Sequence, residues 1–316
     1  MITTEIAKAV DALNRGEVVA IPTETVYGLA GNAFNSGAVQ KIFDLKKRPL
    51  FNPLIIHIKS SEYLDQVAIN IPPIAYLLAN HFWPGPLTLV LEKNEKIPDI
   101  ITAGKKTVAI RVPNHPTTLQ LLEKLDFPLA APSANPFGRI SPTNAEHVAH
   151  FFNDGLEVIL DGGQCELGIE STIIGFENEQ AILYRHGSME IEKIEKITGK
   201  LKIITKNDST PEAPGMISKH YAPKTKMYLS ENLHETIQQF ADKRIGLITF
   251  QNRMENETIF HQEVLSESGN YSEAAKNLYN AMHRLDEQEL DIIIAEKLPN
   301  HELGNTINDR LTRATK

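Results

Sequence analysis

The spacing of apolar residues predicts a mixed α/β fold, an α+β layer built on one large twisted sheet with a small Rossmann-like α/β unit at the end of the chain. Three features predict it. Short apolar or alternating runs, which read as strands, recur between Val18 and Arg185. Segments with helical spacing separate many of them, so strands and helices share one layered core. A proline-rich break near residue 207 then gives way to a second set of strands and helices, and 316 residues suffice for two domains.

The first helix is marked by Ile6, Ala9, Val10 and Leu13 after Thr3 and Thr4, with Gly16 as its stop. Val18 to Ile21 reads as a buried strand. Ser36 is placed to cap a second helix that carries Val39, Ile42 and Phe43, runs into Lys46, Lys47 and Arg48, and ends before Pro49. LIIHI from Leu54, LTLVL from Leu87, TVAIRV from Thr107, PLAA from Pro128, EVIL from Glu157, STIIGF from Ser171 and AILYR from Ala181 read as further strands. Helices are expected near Pro73, near Thr117 and at Thr143, where Thr143 and Glu146 frame a capping box.

Residues 1–206 therefore form the first domain. Lys206 to Lys224, KNDSTPEAPGMISKHYAPK, has three prolines and little periodicity, so residues 207–226 read as an extended linker. In residues 227–316, MYL, IGLITF and DIIIAE alternate with helical segments, and Ala275, Leu278, Tyr279, Met282 and Leu285 share one helical face. No G-x-G-x-x-G turn accompanies them, so no dinucleotide is assigned.

Composition excludes several classes. Hydrophobic residues make up 41% and charged residues 23%, ordinary values for a soluble globular protein. No apolar run approaches the roughly 20 residues that cross a bilayer. The start, MITTEIAKAVDALNRGEVVAI, reads as a helix and a strand rather than a signal peptide, so a cytoplasmic location is expected. A single cysteine, Cys165, rules out an intrachain disulfide and a zinc site built on several thiolates. Residues 227–316 hold 9 Lys+Arg against 15 Asp+Glu, and residues 1–226 hold 23 against 25. Such a balance argues against broad electrostatic binding of nucleic acid and leaves local cation clusters suited to a small anion.

Several segments carry candidate chemistry. In IPTETVYGLAGNA a strand ends in a polar turn where Thr23, Thr25 and Tyr27 offer hydrogen bonds, although threonines there can also simply satisfy the local backbone. Lys46, Lys47 and Arg48 suit a helix C-terminus, and Pro49 and Pro53 hold Asn52 in a fixed loop beside them. Alternation then sets Leu54, Ile56 and Ile58 on one strand face and Ile55 and His57 on the other. Arg111, inside AIRVP, has a planar fork that needs a carboxylate or phosphate, supplied by an internal Asp or Glu or by a ligand. GKKT at Gly104 is rejected as a phosphate loop, because the earlier glycine position is Asp99. APSANPFGRISPT presents Ser133, Asn135 and Ser141 in a loop that can offer N–H and hydroxyl groups to phosphate or adenine. ESTI and LYRHG add Ser171 and Arg185, each weak alone.

Taken together, PTETVYGLAGNA, KKRPLFNPLIIHI, TVAIRVPNHP, APSANPFGRISPT, ESTI, LYRHG and APGMISKHYAPK resemble the threonylcarbamoyl-AMP synthase family in its long form, a YrdC-like catalytic domain followed by a smaller C-terminal domain. LGNTINDRLTRA matches that form more loosely. The resemblance implies a nucleotidyltransferase (EC 2.7.7.87) that makes L-threonylcarbamoyladenylate and pyrophosphate from L-threonine, bicarbonate or CO2, and ATP accompanied by Mg²⁺. It implies a downstream transferase that moves the threonylcarbamoyl group onto tRNA, and leaves open whether tRNA itself is contacted. By the same resemblance Thr25, His57, Arg111, Ala131 through its backbone, and Ser171 hold threonine. Lys46, Arg48, Asn52, Thr107, Ser133, Ser141 and Arg185 surround ATP, with Lys46 and Arg48 catalytic and His220 closing over the site. Two readings compete: a carbamoyl-adenylate-forming enzyme, whose kind carries cysteine-rich zinc fingers that a lone Cys165 cannot build, and a non-catalytic RNA-binding module. The linker is expected to act as a lid.

Overall fold

The computed structural model describes residues 1–152, 155–178, 180–209 and 211–316, so Thr210 of the expected linker lies outside the described residues. The chain opens with β1 (Ile2–Thr3), α1 (Ile6–Asn14), β2 (Val19–Ile21), β3 (Gly28–Asn32), α2 (Ser36–Lys46) and β4 (Ile55–His57). Next come α3 (Pro73–Phe82), β5 (Leu87–Glu92), α4 (Asp99–Thr102), β6 (Thr107–Arg111), α5 (Pro116–Glu123) and β7 (Leu129–Ala130). The first unit is completed by α6 (Ala145–Phe152), β8 (Ile159–Leu160), β9 (Thr172–Glu177), β10 (Gln180–Arg185), α7 (Ile191–Thr198) and β11 (Lys202–Ile203). The last part holds β12 (Lys226–Ser230), α8 (Leu233–Gln239), β13 (Ile245–Thr249), β14 (Ile259–Val264), α9 (Tyr271–Asp286), β15 (Ile292–Glu296) and α10 (Gly304–Ala314).

Among the described residues, 11 strands form one mixed sheet in the order β1-β8-β2-β3-β7-β4-β6-β5-β9-β10-β11. A second sheet, β12-β15-β13-β14, is parallel throughout, as a Rossmann-like unit requires. The alternation read in LIIHI is the alternation found. Leu54, Ile56 and Ile58 enter a core with Val39, Ile42 and Phe43 of α2, whereas Ile55 joins Val90, Ala109 and Ile173 on the opposite face. That second face is covered by Ala213 and Met216 of the linker. The linker thus has no regular element among its described residues, yet it packs on the sheet.

Local expectations failed where a neighbour decided the outcome. Asn35, not Ser36, caps α2, because its side chain accepts from the Gly37 and Ala38 N–H groups while Ser36 already sits in the first turn. Asn144 likewise accepts from the His147 N–H, so the expected Thr143 cap is displaced by one residue. Strand β3 went unread because GLAGN has two glycines and little β propensity. A Cβ on Gly31 would lie 3.3 Å from Ile42 Cδ1, so the small residues are what let α2 approach the sheet. Strand β14 and helices α7 and α10 were also unexpected.

The terminal unit does not stand apart. Val26, Ile140 and Ile169 of the first part pack in one cluster with Tyr221 of the linker and with Leu278, Tyr279 and Leu311 of α9 and α10. A Cβ on Gly168 would lie 2.4 Å from the Lys276 carbonyl oxygen, which fixes how closely that loop meets α9.

Candidate active site

Strands β4 and β6 run parallel with His57 paired to Arg111 and Ile55 to Ala109. The register sets the imidazole and the guanidinium side by side on the face the linker covers. The turn after β2 brings Thr25 to them: Arg111 donates from Nη1 to Thr25 Oγ1 at 2.9 Å and from Nε to the Gly85 carbonyl at 3.1 Å. Its Nη2 lies 2.5 Å from Glu24 Oε1, and both side chains are 4% exposed. The open question about Arg111 therefore has an internal answer, Glu24, and the fork still has more N–H groups than these contacts use. Burial, reinforced by the Arg111 charge, pulls His57 down to about 3, so the ring is neutral near pH 7.

These residues line a cavity together with Arg48, Ala131, Ser133, Ser171, Arg185 and His220. Nine of the thirteen residues expected at the site are therefore gathered in one place. Ala131 is held by its N–H on the Ile55 carbonyl at 3.0 Å. Ser171 shares a 2.7 Å hydrogen bond with Thr88, and Arg185 donates from Nη2 to Ser171 O at 2.8 Å and to its Oγ at 3.1 Å. Arg48 donates to the Asn52 and Pro53 carbonyls at 3.0 and 2.7 Å. Burial, with Arg185 as the next cause, lowers Arg48 to about 9. Two guanidinium groups lining one cavity repel each other, and an anion bound near both relieves that repulsion.

The other four lie outside that lining. Lys46 is 1% exposed and donates to the Ser133 and Asn135 carbonyls, both at 2.5 Å. A buried ammonium must find acceptors, and here it braces the Ser133 loop instead of facing the cavity. Desolvation, then Arg48, holds its pKa well below the ordinary lysine value. Ser141 donates to Glu170 Oε1 at 2.7 Å. Thr107 shares the face of Arg111 but stands four residues away, about 13 Å along the strand. Asn52 is buried, and both atoms of its side-chain amide lack a partner among the described residues. His57 Nδ1 and His220 Nδ1 are in the same position. His57 and His220 line the cavity, and a polar ligand there would satisfy their orphaned nitrogens.

The linker supplies the roof through Pro214, Gly215, His220 and Tyr221. Gly215 has φ +85° and a Cβ there would lie 2.6 Å from Arg185 Cδ, so only glycine permits this approach. The cavity volume is about 60 Å³, well below the roughly 300–1,000 Å³ of ordinary ligand pockets. Glu170, Gly215 and Tyr221 were not singled out in the sequence, although each lies inside a motif that was: ESTI for Glu170, and APGMISKHYAPK for Gly215 and Tyr221.

Residues 11–187 match the family model described as telomere recombination, and residues 189–315 match that of the threonylcarbamoyl-AMP synthase C-terminal domain. The threonylcarbamoyl-AMP synthase of Pyrococcus abyssi is 40% identical, the match covering 98% of this chain and 94% of that protein. The chain belongs to the threonylcarbamoyl-AMP synthase family. The Bacillus subtilis synthase is 39% identical, over 98% of this chain and 92% of its own length. A crystal structure of P. abyssi Sua5 complexed with L-threonine superimposes with a TM-score of 0.92, covering 98% of this chain and 94% of that one, at 40% identity. As a synthase of this family the chain is an enzyme of nucleotidyltransferase type with the long, two-domain organisation. The C-terminal family match begins at residue 189 and so takes in α7, β11 and the linker. Among the described residues no helix is long and apolar enough to cross a membrane.

Proposed function

We propose that this synthase joins L-threonine, CO2 or bicarbonate, and ATP into threonylcarbamoyl-AMP, releasing pyrophosphate, for use by a transferase that modifies tRNA. The observation that carries the reading is the adjacency of a carboxylate clamp, Arg111 beside His57 and Thr25, to the Arg48 and Arg185 pair within one cavity. The free edge of Arg111 takes the threonine carboxylate, which leaves the amine to face the nucleotide side. There the amine nitrogen bonds to the carbon of CO2 and sheds a proton, giving a carbamate. A carbamate oxygen then attacks the α-phosphorus of ATP, the bond to the bridging oxygen of the β-phosphate breaks, and pyrophosphate departs with that electron pair. Arg48 and Arg185 stabilise charge as it gathers on the phosphoryl oxygens, and Lys46 acts by holding the Ser133 loop in place. Neutral His57 serves as a hydrogen-bonding partner for threonine, not as a proton donor near pH 7.

Mg²⁺ accompanies ATP as part of the substrate. Glu170, the carboxylate among the described lining residues, already accepts from Ser141, Tyr279 and Arg310, and no cluster of three or more metal-ligating side chains occurs among the described residues. Phosphate oxygens and water are therefore its ligands in this reading. The linker acts as a lid that keeps water from the carbamate and the mixed anhydride.

Pyrophosphate release from ATP, measured with and without threonine and bicarbonate, tests the proposal. Dependence on both is expected; turnover indifferent to threonine would defeat it. Neither alternative reading has a specific observation in its favour: Arg111, His57 and Thr25 grouped beside Arg48 and Arg185 in one cavity suit an amino acid next to a nucleotide better than a nucleic-acid surface.

A further inference from the structure

Glu170 places a negative charge in the wall of a cavity whose other charged groups, Arg48, Arg111 and Arg185, are cationic. A carboxylate there repels a triphosphate unless something neutralises it. The neutralising group comes from the far end of the chain. Arg310 of α10 is 0% exposed and donates from Nε to Glu170 Oε2 at 2.9 Å, while Tyr279 of α9 donates its hydroxyl to the same carboxylate at 3.0 Å. Arg310 also donates from Nη2 to the His186 carbonyl at 2.7 Å, and its guanidinium carbon lies 4.9 Å from the ring centre of Tyr221 in the cavity roof.

One helical turn further on, Arg313 holds the linker from the same face of α10. It donates to the Ile217 carbonyl at 2.6 Å and to the Thr205 carbonyl at 3.2 Å, and its own carbonyl accepts from the His220 N–H at 3.3 Å. Asp309 ties the two arginines together, 2.7 Å from Arg310 Nη1 and 2.9 Å from Arg313 Nε. Helix α10 therefore grips the cavity wall and the cavity roof at once, and it cannot leave one without releasing the other.

We propose that Arg310 is a positioning residue for the synthase reaction, which neutralises Glu170 and so makes docking of the C-terminal helix a condition for tight ATP binding. The inference rests on the ATP reading above. With the C-terminal unit docked, the cavity presents its cations to the triphosphate. With it displaced, Glu170 keeps the Ser141 hydrogen bond but loses its ion pair with Arg310, and the roof loses its anchor.

The test compares wild type, Arg310→Met, Glu170→Gln and the double variant in the full chain, by KM for ATP and for threonine and by equilibrium binding of a non-hydrolysable ATP analogue. Arg310→Met should raise KM for ATP by about tenfold or more, from one uncompensated like charge, and raise KM for threonine far less. The double variant should recover most of that loss, because the charge that needed neutralising is gone. Glu170→Gln alone, nearly isosteric, should bind the analogue at least as tightly as wild type. A double variant as weak as Arg310→Met, or a Glu170→Gln protein that loses analogue affinity, overturns the inference and leaves the ATP reading standing. A wild-type protein that fails to bind the analogue at all overturns both.

Discussion

Replacing Arg111 by methionine removes the cation paired with Glu24 and, in the reading proposed above, the one that takes the threonine carboxylate, and the two losses can be separated. Glu24 is 3% exposed, and among the described residues Arg111 is the cation that forms an ion pair with it. Stripping one partner from a buried ion pair costs about 3–5 kcal/mol, because the remaining charge stays desolvated. The threonine carboxylate loses a charge-assisted hydrogen-bonded contact worth about 1.5–3 kcal/mol, which corresponds to a rise of about 10- to 150-fold in KM for threonine. Arg111→Met should therefore unfold at lower urea concentration and need far more threonine, with KM for ATP changed little. Adding Glu24→Gln removes the stranded charge, so Arg111→Met/Glu24→Gln should regain most of the stability and none of the threonine affinity. Urea titrations followed by the fluorescence of Trp83, together with pyrophosphate-release kinetics, measure both quantities. The reasoning is refuted if the threonine requirement recovers along with stability, or if both substrates' KM values rise equally.

Other expectations follow from the same site. Arg48→Met should raise KM for ATP more than KM for threonine, and the reverse ranking would undo the assignment of the two cavity halves. Gly215→Ala should slow turnover and speed escape of the adenylate intermediate, since a Cβ 2.6 Å from Arg185 Cδ keeps the roof from seating; unchanged release, read by trapping the intermediate, would remove the lid. The protein should also lose stability in mild acid. His57, His147 and His220 are lowered to about 3 and His283 to about 4, each by burial first, so below the ordinary histidine value of 6.5 the unfolded chain takes up protons that the folded chain refuses. Glu170 adds to this at lower pH. Burial alone would raise it, but Arg310, Arg185 and Ser141 together bring it from 4.5 to about 2, so its contribution is complete above 4.5 and is lost as pH falls through 2. Urea midpoints should thus fall on going from pH 7 to pH 5; a midpoint that does not move over that interval contradicts the burial of neutral histidines.

What the sequence determined by itself was whatever depends on short-range pattern. Period-two alternation alone separated Ile55 and His57 from Leu54, Ile56 and Ile58, and the structure places those two sets on opposite faces. The proline-rich composition of residues 207–226 marked a segment whose described residues hold no helix or strand before β12, and a set of motifs in order marked the family. Caps slipped by one residue at Asn35 and Asn144, because which oxygen reaches an exposed N–H depends on backbone angles that composition does not set. Partner choice was decided only by the tertiary structure. Nothing near Arg111 in its own strand names Glu24, nothing in KKRPLF shows that Lys46 turns toward the Ser133 and Asn135 carbonyls, and no local signal joins Glu170 to Arg310, 140 residues later. Those pairings come from sheet register and from burial, which brings distant charges together and leaves each of them no alternative partner in water.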